Sequence, residues 1–305
     1  HRVANRDHGG RSALAISQED FERVLDQVGS RYEFVSLEQG MTPSRTKRAV
    51  VTFDDGYADN LHTAMPILGR RGIPVTFFIT TGFIDSDHLF PADAMDGVYD
   101  AIHDGVDLPG ELGQLTGMTY WEALDKLSGS SDRVFWAMIA SLSALARQRV
   151  LDIDSYRRPM TLLELRKLAG RPGVTLGPHT HSHRRLTAVS VSDALTDVSR
   201  GIDWLEDKGL GLVPYFAYPF GQSSDVSPEV TTRVRGLGYE PLTTLPTLVT
   251  PRTQKVFSSV GVPRLSVGPH EVPVIALLSR VLPLASSFPR AWLSALALRR
   301  ALRAG

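Results

Sequence analysis

The chain has 305 residues, enough for one large domain; α/β barrels commonly run to about 250 residues as one unit. Lys plus Arg and Asp plus Glu both number 33, so the formal net charge is zero, which argues against the broad basic surface that holds nucleic acid. There are no cysteines, so disulfides and thiolate metal sites are excluded, and any zinc must be held by histidine and carboxylate.

His1-Arg2-Val3 reads as the end of a strand. The chain starts without Met or a signal-peptide pattern, and we expect the native start to lie upstream. Ser17 with Asp20 resembles a capping box and opens a helix with Phe21, Val24, Leu25 and Val28 on one face, ending near Gly29. Residues 33–37 read as a strand. After a polar loop, Val50 to Phe53 form a short buried strand that runs straight into Asp54, Asp55 and Gly56. Adjacent carboxylates at a strand end repel each other and need solvent, a cation or a metal to compensate. A helix over 60–71, closed by Gly72, and a strand over 75–80 complete a βαβ unit. The strand is apolar on both faces, as a parallel strand covered by helices should be.

Residues 85–158 break this rhythm and read as a helical insertion, with helices near 119–128 and 132–151. Alternation returns with a capping box at Thr161 and Glu164, a helix to Ala169 and a strand over 174–176. That strand ends in His179-Thr180-His181-Ser182-His183. A long helix from Ser190, a strand over 213–217, Tyr218-Pro219-Phe220-Gly221, a helix near 228–236 and a strand near 256–265 follow. The last stretch, 272–304, is apolar and basic. Arg280, Arg290, Pro283 and Pro289 interrupt it, so no run reaches the roughly 18 uncharged residues of a membrane span. We expect a pair of helices packed on the main domain; the alternative is an amphipathic segment on an anionic membrane surface.

Alternating β and α elements imply a mainly parallel sheet, open or closed into a barrel, with ligands at the carboxyl ends of its strands. The Asp54-Asp55 pair, the histidine cluster and Tyr218-Pro219-Phe220 all follow strands. Histidine and carboxylate together are the usual ligands of a catalytic divalent ion. By itself the histidine cluster reads equally well as a solvated surface loop; the acidic strand end shifts the balance to metal. Thr180 and Ser182 are placed to orient ligands, and His181 alternates away from its neighbours.

Thr52-Phe53-Asp54-Asp55-Gly56, then His179-Thr180-x-x-His183, then Tyr218-Pro219-Phe220-Gly221 occur in this order. The combination resembles the polysaccharide deacetylases (carbohydrate esterase family 4, the NodB-homology domain), over about 45–84 and 160–265. The resemblance implies a distorted (β/α) barrel spanning 1–270, with 271–305 as a separate tail. It implies a bacterial protein of the envelope or cytoplasm that removes N-acetyl groups from a glycan with a divalent metal, most often zinc. By the motif, Asp55, His179 and His183 are the metal ligands, Asp54 the general base, and the backbone N–H of Phe220 a donor to the oxyanion.

Two positions depart from the family pattern. An arginine that usually braces the catalytic aspartate is replaced by Ala217, and Arg264, after Pro263, is the candidate to take its place within reach of Asp54. The usual late histidine of the general acid has no clear counterpart, leaving His270 and His1 as candidates. These departures also suit a domain of the same fold that binds glycans with weakened turnover. Because fold does not fix substrate, hydrolysis of another amide or ester stands as a further alternative.

Overall fold

Every strand pair in the computed structural model, which describes residues 1–4, 14–103, 105, 108–149, 157–244 and 261–264, is parallel. Strand β1 (Arg2–Ala4) pairs with β2 (Ala15–Ser17), placing Val3 opposite Ile16. Ser17 then caps α1 (Gln18–Gly29) by accepting the Asp20 N–H, and Phe21, Val24 and Leu25 are buried. Strand β3 (Glu33–Phe34) is shorter than the sequence suggests. Ser36 and Gln39 form a reciprocal capping box, so Leu37 begins a helix, α2 (Leu37–Met41). With the Ser36 and Gln39 N–H groups satisfied in this way, continuing the strand gains nothing. Strand β4 (Arg48–Ala49) pairs with β3.

The sheet that matters most joins β5 (Val51–Phe53), β6 (Val75–Ile79) and β7 (Val174–Pro178), with β6 central. Phe53 lies opposite Phe77, their rings stacked at 5.4 Å. The helix expected over 60–71 begins as a π-turn (Asn60–Ala64) and continues as α3 (Met65–Arg70). Pro66 supplies the reason: it has no N–H to give to the carbonyl four residues back, and Met65 reaches five back, to Asn60.

Between β6 and β7 the chain leaves the sheet for α4 (Pro91–Asp96), α5 (Tyr99–His103), a 3₁₀ turn (Gly110–Leu115), α6 (Tyr120–Ser128) and α7 (Asp132–Arg149). These helices gather around a cluster that includes Phe90, Met95, Leu112, Leu124, Phe135 and Ile139. Arg157 fastens the return of the chain by donating to Asp93 at 2.7 Å and Asp96 at 3.0 Å. Helix α8 (Leu162–Ala169) starts at the Thr161–Glu164 capping box and leads into β7.

After β7 come α9 (Val191–Asp207), β8 (Tyr215–Ala217), α10 (Pro228–Gly236), β9 (Glu240–Thr244) and β10 (Val262–Arg264). The last three strands form a second three-stranded sheet with β9 in the middle. Sequence reading missed β9 because Pro241 sits inside it, and proline argues against a central strand. The ladders make four small open sheets, and none closes them into a ring among the described residues. Between β7 and β8 there is one bridge, Leu176 to Leu212. Pro214, next to β8, lacks the N–H that would extend it. Residues 256–260, His270 and the segment 271–305 lie outside the described residues. Among the described residues no helix is long and apolar enough to cross a membrane.

Candidate metal centre

Strand β5 delivers its two carboxylates into a turn that only a special backbone can make. Asp55 has φ 76° and Gly56 φ 100°. The Gly56 N–H bonds back to Asp54 O at 3.0 Å, and Thr80 N–H, at the end of β6, holds Asp55 O at 3.0 Å. A non-glycine residue with positive φ is uncommon and costs roughly 1–3 kcal/mol. Asp54 and Asp55 both end up nearly buried at the carboxyl end of the sheet.

The histidines arrive from β7. His179 N–H bonds Ile79 O at 3.0 Å, and its Nδ1 lies 2.7 Å from Ala217 O. That carbonyl can only accept, so Nδ1 carries the proton and Nε2 keeps its lone pair. The chain then turns through Thr180 (φ 66°) to His183 (φ 57°), whose N–H is received by Thr180 Oγ1 at 3.0 Å. Ser182 faces away from the ligands and donates both N–H and hydroxyl to the Asp197 carboxylate, at 3.1 and 2.9 Å. The carbonyl of Asp197 also takes the His181 N–H. His181 turns aside, with Nδ1 2.9 Å from Thr81 Oγ1 and its ring edge toward Trp136.

These turns bring Asp55, His179 and His183 together. Asp55 Oδ1 is 3.0 Å from His183 Nε2 and 3.4 Å from His179 Nε2, and the three ligating atoms lie within 4.8 Å of one another. All three atoms are buried, and none has a hydrogen-bond partner. Buried polar atoms are rarely left so. A carboxylate oxygen and two imidazole lone pairs converging on one point suit a divalent ion. On the other side of Asp55, His1 Nδ1 lies 2.9 Å from Oδ2. Burial opposes charge on His1, but the Asp55 carboxylate lifts its pKa to about 9. Strand β1 is pinned there by Arg2 on Asp59 at 2.8 Å and by Asn60 Nδ2 on His1 O at 2.9 Å.

Asp54 points to a different partner. Arg264 on β10 grips it with two parallel bonds, Nη1 to Oδ1 at 2.6 Å and Nη2 to Oδ2 at 2.7 Å, and Nη1 also reaches Thr52 Oγ1 at 3.2 Å. Burial would raise the Asp54 carboxyl, but the Arg264 charge overrides it and takes the pKa down to about 2. Ala217 leaves the family's usual place for an arginine empty of charge, and the guanidinium comes instead from β10, two strands away in the same sheet. Phe220 has φ 60°, and its ring centroid lies 5.2 Å from that of His183.

Sequence reading did not single out Asp197, Gly201 or Arg185. The first two carried a signal. Ala194, Val198, Ile202 and Leu205 are the buried side of α9, and Asp197 and Gly201 lie on that same side. A carboxylate on an apolar helix face asks for a partner. A Cβ on Gly201 would meet Thr180 C at 2.8 Å, so the helix backbone rests directly on the histidine turn.

The family model for polysaccharide deacetylase matches residues 42–242. The chain belongs to the polysaccharide deacetylase family. Among solved structures, IcaB from Ammonifex degensii is similar with a TM-score of 0.50 at 20% identity, over 92% of this chain and 94% of that one. The Streptococcus pyogenes deacetylase PplD, in complex with acetate, gives a TM-score of 0.51 at 16% identity, over the same shares. At such identities the likeness is one of fold. No curated protein sequence gives a match.

Proposed function

We propose that the chain is a metal-dependent hydrolase that removes N-acetyl groups from an amino-sugar polysaccharide, with zinc held by Asp55, His179 and His183. The observation that carries this reading is the convergence of three buried, unpartnered ligand atoms beside an aspartate braced by arginine. The four open sheets fit a distorted barrel, because Arg264 on β10 reaches across to Thr52 and Asp54 at the end of β5, in another sheet. A divalent ion at this point would polarise the amide carbonyl and make water acidic enough to attack near neutral pH.

The residues of the chain divide the remaining work. Asp54, kept ionised and held at a fixed angle by Arg264, accepts the proton of the attacking water. The backbone N–H of Phe220 donates to the oxygen that gains negative charge; such a donor contributes about 3–4 kcal/mol to the transition state. Among the described residues His1 is the remaining imidazole at the site, and it gives its proton to the departing amine. Adjacent carboxylates with separate roles also explain why both are needed: Asp55 faces the histidines and Asp54 does not. The reading as a binding domain with weakened turnover drew on the missing arginine and the unassigned general acid; the grip of Arg264 on Asp54 bears on the first of these. The zero net charge argues against nucleic acid as substrate, and the family favours an N-acetylated glycan. The test is acetate release from peptidoglycan, chitin-type and exopolysaccharide substrates, before and after chelation and after zinc is restored. Release that persists undiminished in metal-free protein would overturn the metal-dependent reading.

A further inference from the structure

Two consecutive arginines follow His183, and each reaches the inserted helices. Arg184 is buried; its guanidinium lies 4.3 Å from the Phe135 ring centroid and Nη2 is 3.3 Å from Asp132, both on α7. Arg185 forms an ion pair with Asp125 of α6, Nε to Oδ1 at 2.9 Å. It also donates to the carboxylate of Asp225, which is 1% exposed, and its guanidinium lies 4.8 Å from the Phe220 ring centroid. Asp225 in turn receives the Gln222 N–H at 2.8 Å, and Thr187 Oγ1 donates to Ser224 O at 2.9 Å. One side chain thus touches three segments: the insertion, the turn after Phe220, and the turn that carries His183.

We propose that Arg185 is a positioning residue through which the inserted helices hold Phe220, and with it the oxyanion donor, in register with the metal ligands. The proposal rests on the deacetylase reading of the site. Phe220 needs such a hold. Its φ of 60° is a strained conformation for a bulky side chain, and it persists only where the surroundings over-determine it. A planar guanidinium can stack on the ring and pair with carboxylates in its own plane, which a lysine cannot do at once. The contributions are unequal. The Asp225 pair is buried, whereas Asp125 is 57% exposed, and an exposed ion pair is worth little by itself. The insertion therefore steadies Arg185, and Asp225 anchors it.

The test uses Arg185→Ala, Arg185→Lys and Asp125→Ala in the zinc-loaded full chain. It measures amide hydrogen exchange over 220–225, zinc affinity by titration, and kcat and KM for acetate release. For Arg185→Ala we expect exchange in 220–225 to speed up about tenfold or more and kcat to fall roughly 10–100-fold, less than the 10²–10³ lost when an oxyanion donor is removed outright. KM and zinc affinity should stay within about threefold. Lysine should recover part of both effects by keeping the Asp225 pair, and Asp125→Ala should shift both by about two- to fivefold in the same direction. If Arg185→Ala does not fold, Arg185→Lys carries the same readouts. Unchanged exchange over 220–225 in every variant would overturn the clamp, and faster exchange with unaltered kcat would overturn its role in turnover. A wild-type chain that releases no acetate while the exchange responses hold would defeat the deacetylase reading and leave the clamp standing.

Discussion

Replacing Asp54 by asparagine exchanges a proton acceptor for an amide of nearly the same shape. Asp54→Asn should keep zinc and fold while acetate release falls by about 10²–10⁴-fold; activity within a few-fold of wild type would show that another group is the base. Arg264→Ala removes the brace and leaves the ligands alone, so turnover should drop roughly 10–100-fold at unchanged zinc stoichiometry, in line with the cost of a misplaced reacting group. Asp197 makes a prediction about pH. Burial pushes its carboxyl up to about 6, and the hydrogen bonds of Ser182 and the Arg184 charge only partly oppose that. Between about pH 4 and 6 the folded chain therefore holds a proton that the unfolded chain has lost. This contribution to stability is fully present below pH 4 and is lost as pH rises through 6. Asp197→Asn cannot ionise, so its melting temperature relative to wild type should rise between pH 5 and pH 8. A constant difference across that range would show that Asp197 is ionised throughout.

Helix α8 shows how an element can be argued from four letters. Thr161 and Glu164 were visible as a capping box, and the structure adds what spacing could not show: Arg158 donates to both Glu164 oxygens, at 2.7 and 2.8 Å, and His62 lies 2.8 Å away. Hydrogen bonds from Arg158 hold the Glu164 carboxyl well below the usual range. Glu164→Ala should cost about 1–2 kcal/mol near neutral pH, through the lost hydrogen bonds from Arg158 and the Thr161 N–H, and less below pH 4, where the carboxylate of the unfolded chain is already protonated. Urea unfolding at pH 7 and pH 3.5 would measure both. The same contrast runs through the rest of the chain. The helices at 120–128, 132–149 and 228–236 were readable because caps and apolar spacing are local. The convergence of Asp55, His179 and His183 was readable because the aspartate and the histidines each follow a strand. Helices α4 and α5 were not, since their apolar positions pack against residues far away in sequence. The hold of Asp197 on Ser182 and that of Arg185 on Phe220 were equally hidden, because a hydrogen-bond partner 15 residues away or a ring contact leaves no periodic trace.

Among the described residues, the site holds four of the five non-glycine residues with positive φ, namely Asp55, Thr180, His183 and Phe220. A cation that binds only this arrangement returns some of that strain. At zinc concentrations about 100 times the dissociation constant it should add about 2.7 kcal/mol and raise the melting temperature by several degrees. Asp55→Ala should abolish that rise, and an unchanged rise would place the metal elsewhere. The bond between Asp54 and Arg264 has a consequence for how the protein is made. Its two ends lie 210 residues apart, so at roughly 5–20 residues per second Arg264 is added to the growing chain about 10–40 s after Asp54. Asp54 lacks its guanidinium throughout that interval, and in the later part of it β5, β6 and β7 are all available to pair. A nascent chain halted after β9 would already carry Asp55, His179 and His183 and could capture zinc, yet its base would be unbraced. On the proposed reading, synthesis therefore orders the assembly of this centre: Asp55, His179 and His183 can converge early, and the braced base follows only once the chain through Arg264 has been translated.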